Sequence, residues 1–255
     1  MVDIKFYGEE IENLFFMGTG KFGNFDIMKK AIEEANIEVV TVAVRRASYS
    51  ETNENILDYI NAKKIMINTS GARSAEEALF IAKIGRELIN TNWVKIEIIN
   101  DTKYLMPDNQ ETIKACKLLT ENGFNVFPYM YPDLYDARRM VENGAEVLMP
   151  LGSPIGTNKG FKTKELVKIL LNEMDVKIVI DAGIGKPSHA AEVMEMGCHA
   201  VLANTAVSIS DNPVKMVKAF SYAVMAGRLA YLAGIPEEKD FAEASSPLFG
   251  CIGRD

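Results

Sequence analysis

Eight short runs of β-branched and apolar residues recur along the chain, and segments with helical periodicity separate them. The runs are "NLFFMG" (13–18), "VVTVAV" (39–44), "KIMINT" (64–69), "WVKIEII" (93–99), "NVFPYM" (125–130), "EVLMP" (146–150), "KIVIDA" (177–182) and "AVLANT" (200–205). Strands this apolar are covered on both faces, and parallel neighbours need a crossover long enough to be a helix. Eight β–α units in 255 residues predict the α/β class and a (β/α)8 TIM barrel. An open doubly wound sheet is the rival.

The clearest helical pattern is "SAEEALFIAKIGRELI", with Ala75, Ala78, Leu79, Ala82 and Ile89 on one face and Ser74 and Glu77 as a capping box. Asp108 with Glu111 marks another helix start, and Asp211 or Asn212 before Pro213 begins the last long helix. No linker or low-complexity segment divides the chain, so 1–255 is expected to form one barrel domain. About 1–12 should be a hairpin or cap, and about 236–255 a C-terminal tail.

Barrel polarity places the segments that follow each strand at the mouth, where barrel enzymes build their sites. A formal net charge of −7, from 28 basic and 35 acidic residues, argues against nucleic acid as the main partner. Three widely spaced cysteines, Cys116, Cys198 and Cys251, suggest no disulfide framework. With no apolar leader or membrane-length run, the expected location is the cytoplasm.

"GTGKFG" (Gly18, Gly20, Gly23) is a literal G-x-G-x-x-G after a strand. With Arg45 and Arg46 ending the second strand, it supports an alternative reading: an NADP-dependent oxidoreductase. "GIGKPS" is not a P-loop, because Ile180 stands where the first glycine belongs. Two histidines, His189 and His199, and no paired Cys-x-x-Cys give no metal site; structural roles are expected for both.

Lys95 and Glu97 stand out. Both should point into the barrel from the fourth strand, at positions that barrels normally fill with branched apolar residues. A buried ion pair would explain them structurally. A desolvated lysine can also attack a ketone to form a Schiff base, with a carboxylate nearby to move protons. Asp181 ends the seventh strand facing the same mouth. The loops "AGIG" (182–185) and "NTAVS" (204–208) follow strands seven and eight, where barrels often bind phosphate. Together these features suggest a phosphorylated ketose or aldose.

The motifs "MGTGKF", "TVAVRR", "SAEEAL", "WVKIEII", "LMPDNQET", "MPLGSPIGTNKG", "VIDAGIGKPSHAAEVMEMG" and "VLANTAV" resemble the bacterial thiazole synthase family of thiamine biosynthesis. The resemblance runs from about Leu14 to Ile235. It implies an enzyme without an organic cofactor, in which Lys95 forms an imine with 1-deoxy-D-xylulose 5-phosphate. A ubiquitin-like sulfur-carrier protein would then deliver sulfur as its thiocarboxylate. Dehydroglycine, from a separate glycine oxidase or tyrosine lyase, would complete the ring. The resemblance also implies that Glu97 and Asp181 act as acid/base carboxylates and that Gly156, Ala182, Gly183, Asn204 and Thr205 contact substrate. It further implies a cytoplasmic homo-oligomer, usually a tetramer. The family usually carries a basic residue where this chain has Ile235.

Overall fold

A computed structural model describes residues 4–45, 55–243 and 245. A two-stranded antiparallel hairpin, β1 (Ile4–Phe6) and β2 (Glu9–Ile11), precedes the barrel strands. These are β3 (Phe15–Gly18), β4 (Val39–Ala43), β5 (Lys64–Asn68), β6 (Trp93–Ile96), β7 (Asn125–Met130), β8 (Val147–Pro150), β9 (Lys177–Ile180) and β10 (Ala200–Ala203). Parallel pairing runs around the ring, and β10 closes it on β3 through Val201 opposite Phe15 and Ala203 opposite Met17. The closed ring excludes the doubly wound sheet.

The helices are α1 (Phe25–Glu34), α2 (Ala75–Ile89), α3 (Asn109–Glu121), α4 (Leu134–Glu142), α5 (Lys164–Glu173), α6 (Pro187–Glu195), the single turn α7 (Thr205–Ser208) and α8 (Pro213–Ala233). Among the described residues, no helix is long and apolar enough to cross a membrane.

Local chemistry explains the helix starts. Ser74 Oγ accepts from the Glu77 amide at 3.3 Å, but the Glu77 carboxylate reaches past the cap to the Arg73 amide, 2.9 Å away. The expected box is therefore only half reciprocal. Asp108 caps α3, and Asn212, one residue before Pro213, caps α8. The buried face of α2 is smaller than the sequence pattern suggests: Ala75, Ala78, Ala82 and Gly85 are buried, while Leu79 and Ile89 are only partly covered. A Cβ at Gly85 would stand 2.8 Å from Ile67, so small residues let the helix lie close against β5.

Several strands are shorter than their apolar runs. β6 stops at Ile96, β9 at Ile180 and β10 at Ala203. Isolated bridges, Ala72 with Ile98 and Leu151 with Asp181, carry the pairing slightly further. At the third site, Asn204 precedes helix α7, which begins at Thr205. At the end of β6 the Thr69 hydroxyl accepts from the Glu97 amide and interrupts the regular ladder.

The hairpin closes the barrel floor. Alternation along β3 sends Phe15 outward, stacked on Phe220 of α8 with ring centroids 5.0 Å apart. Phe16 points inward to meet Phe6 at 5.4 Å, and Phe6 also meets Phe127, which packs on Trp93 at 4.8 Å. Tyr7 Oη donates to the Val126 carbonyl at 2.6 Å and pins the hairpin in place. Phe6 is fully buried, so Phe6→Ala is expected to destabilise the fold by about 3–5 kcal/mol, the usual range for emptying such a site. Denaturant unfolding checks this; a loss below about 1 kcal/mol would show that the hairpin is peripheral.

Candidate active site

Above the aromatic floor, Lys95 occupies the inward face of β6, two residues along from Trp93. Its Nζ lies 2.9 Å from Glu97 Oε2 and 2.6 Å from Asp181 Oδ2. All three side chains are buried, with 4%, 8% and 3% of each residue exposed. Tyr129, inward on β7, places its ring centroid 5.1 Å from the ammonium.

The β5 end holds Glu97. Asn68 Nδ2 donates to Glu97 Oε2 at 3.1 Å, and the Ser70 hydroxyl lies close enough to favour the charged carboxylate. Thr69 Oγ1 accepts from the Glu97 amide at 2.8 Å. These bonds fix the carboxylate just where regular β6 pairing ends.

Burial and charge act in opposition within this cluster. Burial disfavours the Lys95 ammonium, but the charges of Asp181 and Glu97 outweigh it and hold the lysine above its ordinary range. Burial pushes Glu97 up, yet Lys95, Asn68 and Ser70 together bring it below the usual carboxylate value. Asp181 goes the other way: burial raises it, and the Lys95 contact does not fully offset that. One cation therefore faces two carboxyl groups of unequal acidity, and Asp181 is the one that more readily carries a proton. Burial and the two carboxylate charges also keep the Tyr129 phenol protonated.

The triad opens into a cavity of about 740 Å³ at the C-terminal mouth. Gly156, Ala182, Gly183, Asn204 and Thr205 all line it alongside Lys95, Glu97 and Asp181, so every candidate site residue from the sequence meets in one place. The loop after β9 is tightly drawn. Ala182 and Gly183 both have positive φ, 61° and 71°, and a Cβ at Gly183 would run into Ser153. The Gly160 amide donates to the Gly183 carbonyl at 2.8 Å, joining this loop to the one after β8. His189 braces the same region, accepting from the Gly185 amide at 3.3 Å through Nδ1. His199 accepts from the Ile178 amide at 3.1 Å, at the opposite end of the barrel. The structural roles expected for both histidines agree with these contacts.

Cys116 and Cys198 are buried free thiols. Among the described residues, no group of three or more His, Cys, Asp or Glu could hold a metal ion. The dinucleotide reading of "GTGKFG" fails on topology, because a closed barrel has no switch-point crevice; Arg46 lies outside the described residues. Several contributors escaped the sequence reading: Asn68, Ser70 and Tyr129 around the triad, and Lys21 at the mouth. Asn68 and Ser70 sit in a polar strand end like those of other strands, and only the barrel neighbour relation shows which carboxylate they serve.

Fold and site define a barrel enzyme whose polar machinery sits at the C-terminal mouth. A profile of the family described as "Thiazole biosynthesis protein ThiG" matches residues 5–247. The thiazole synthase of Clostridium acetobutylicum is 52% identical over 254 residues, 99% of this chain and all of that protein. That of Heliobacterium modesticaldum is 54% identical over 247 residues, 96% of this chain and 97% of its own. Among solved structures, the Amycolatopsis orientalis BexX/CysO complex is similar at a TM-score of 0.80 and 28% identity, covering 93% of this chain and 98% of that one. Mandelate oxidase, at 12% identity and a TM-score of 0.63, shares the fold alone. The chain belongs to the ThiG family of thiazole biosynthesis proteins, enzymes that form the thiazole of thiamine.

Proposed function

We propose that Lys95 is the amine on which the thiazole is assembled, and that its substrate is 1-deoxy-D-xylulose 5-phosphate. The observation that carries this reading is the buried Lys95 ammonium clasped by Asp181 and Glu97 beneath an open mouth. A proton leaves Nζ for Asp181, 2.6 Å away and the weaker acid of the two carboxyls. The freed lone pair attacks the ketone carbon, and the proton that the nitrogen then sheds passes to the carbonyl oxygen to give a carbinolamine. Protonated Asp181 then assists loss of that oxygen as water, leaving the imine. Glu97 remains the charged neighbour that stabilises the resulting cation. Asp181, ionised again by the loss of water, takes the C3 proton to give an enaminol, and protonation at C2 with loss of the C3 hydroxyl proton shifts the carbonyl to C3.

The loops bearing Gly156, Ala182, Gly183, Asn204 and Thr205 receive the phosphate end. Sulfur arrives on a ubiquitin-like carrier as its C-terminal thiocarboxylate, and dehydroglycine, from a separate glycine- or tyrosine-cleaving enzyme, supplies the remaining ring atoms. The solved complex of the structural relative BexX with CysO supports a carrier partner. The whole chain is proposed to act as one domain, in the cytoplasm, as a homotetramer. Tyr222, Met225, Leu229 and Leu232, exposed along α8, support self-association; a monomer in sedimentation at micromolar concentration would remove the tetramer.

The test supplies the sugar phosphate, dehydroglycine and a carrier thiocarboxylate labelled with ³⁴S. Thiazole product carrying the label, absent when any one component is omitted, is expected. Unlabelled product, or product formed without the carrier, would overturn the sulfur source.

A further inference from the structure

The "GTGKFG" turn does no dinucleotide work in a closed barrel, yet its backbone is held under tight constraint. A Cβ at Gly18 would come within 2.5 Å of the Asn204 side chain. With its amide turned to satisfy both neighbours, Asn204 Nδ2 donates to the carbonyls of Gly18 at 3.1 Å and Gly20 at 2.6 Å. Asn204 thus clamps the turn after β3 onto the end of β10.

The next residue, Lys21, has φ +64°, a left-handed conformation that only a few per cent of non-glycine residues adopt. The turn carries the Lys21 side chain across the mouth. Its Nζ reaches 3.3 Å from Thr205 Oγ1, on the loop after β10, and 3.5 Å from where a Cβ on Gly156 would stand, on the loop after β8.

Charge makes this position consequential. The interior triad sets two carboxyl groups against one ammonium, so its field opposes entry of a dianion. Three other described cations share the cavity wall, and none stands where Lys21 does. Lys95 is engaged in the triad, Arg45 donates to Ser70 Oγ at 3.3 Å, and Arg73 follows β5. Among the described residues no carboxylate forms an ion pair with Lys21. A turn in a left-handed conformation, clamped by Asn204, therefore holds an ammonium with no carboxylate partner among the described residues against the two loops proposed to receive phosphate.

We propose that Lys21 is a specificity-determining residue: its ammonium binds the substrate phosphate together with Thr205 and the Gly156 loop, and selects phosphorylated over unphosphorylated ketose. The inference rests on the proposed sugar-phosphate substrate. A charge-assisted hydrogen bond in a partly exposed site corresponds to roughly a 10- to 100-fold change in affinity.

The test measures equilibrium binding of 1-deoxy-D-xylulose 5-phosphate by calorimetry, with borohydride trapping of that sugar and of 1-deoxy-D-xylulose run in parallel. Lys21→Ala is expected to weaken binding of the phosphorylated sugar roughly 10- to 100-fold. Half-saturation for trapping the unphosphorylated sugar should stay within about twofold, and Lys21→Arg should recover most of the phosphate affinity. Arg73→Ala, the control for a diffuse field of mouth cations, is expected to change binding much less. Unchanged phosphate affinity in Lys21→Ala, equal losses for both sugars, or an Arg73→Ala loss as large would overturn the assignment. If Lys21→Ala weakens binding but no protein variant traps either sugar, Lys21 keeps its role and the imine chemistry fails.

Discussion

Lys95→Ala is expected to lower thiazole formation by about 10⁴-fold or more, because the variant loses the only atom proposed to bond covalently to the sugar. Lys95→Arg is the more discriminating change. It keeps a cation between Asp181 and Glu97, but a guanidinium does not lose its proton to become a nucleophile. If the lysine served only to neutralise two buried carboxylates, Lys95→Arg would retain much of the activity. On the covalent reading it falls as far as Lys95→Ala. Steady-state assays on variants with parental circular dichroism check both, and Lys95→Arg activity above about a tenth of the parent would contradict the nucleophile role. Circular dichroism matters here, because removing one partner of a buried ion cluster typically costs about 3–5 kcal/mol.

Asp181→Asn has the second largest expected effect, and pH gives it a sign. Attack requires neutral Lys95, whose pKa the two carboxylates hold above the ordinary lysine value. In the parent, imine formation should therefore keep rising with pH through the alkaline range. Asp181→Asn removes the larger of the two charge contributions that raise Lys95, so Lys95 loses its proton more easily and the rise moves to lower pH. The plateau rate nevertheless falls by about 10²–10⁴-fold, because the acid that assists loss of water from the carbinolamine is gone. A lower plateau with no downward move in pH would indicate that Asp181 does not hold the lysine as ammonium. Glu97→Gln should also move the profile downward, with a smaller loss of rate, since Asp181 remains to assist the loss of water.

The ring of eight strands was legible because each strand's apolar run is bounded by glycine or polar residues and separated by helix-length spacers. Lys95 and Glu97 were legible because charge inside an apolar strand is costly unless it has partners. Strand ends were less legible. "WVKIEII" continues apolar to Ile99, while β6 ends at Ile96, where Thr69 takes over the Glu97 amide; that bond belongs to a neighbouring strand and leaves no local trace. The same limit hid Phe6, whose place in the floor depends on meeting Phe16 and Phe127. Lys21 was hidden differently. Its motif suggested a dinucleotide loop, and only the Asn204 clamp and the contact with Thr205 show what the turn holds.

The central claim, that Lys95 bonds to the sugar, is tested most directly by borohydride reduction of the protein mixed with 1-deoxy-D-xylulose 5-phosphate. Mass spectrometry of the digested protein should find a reduced sugar-phosphate adduct on the peptide that carries Lys95, and no such adduct in Lys95→Ala. An adduct on another lysine, or none from a protein that still forms thiazole, would contradict the account.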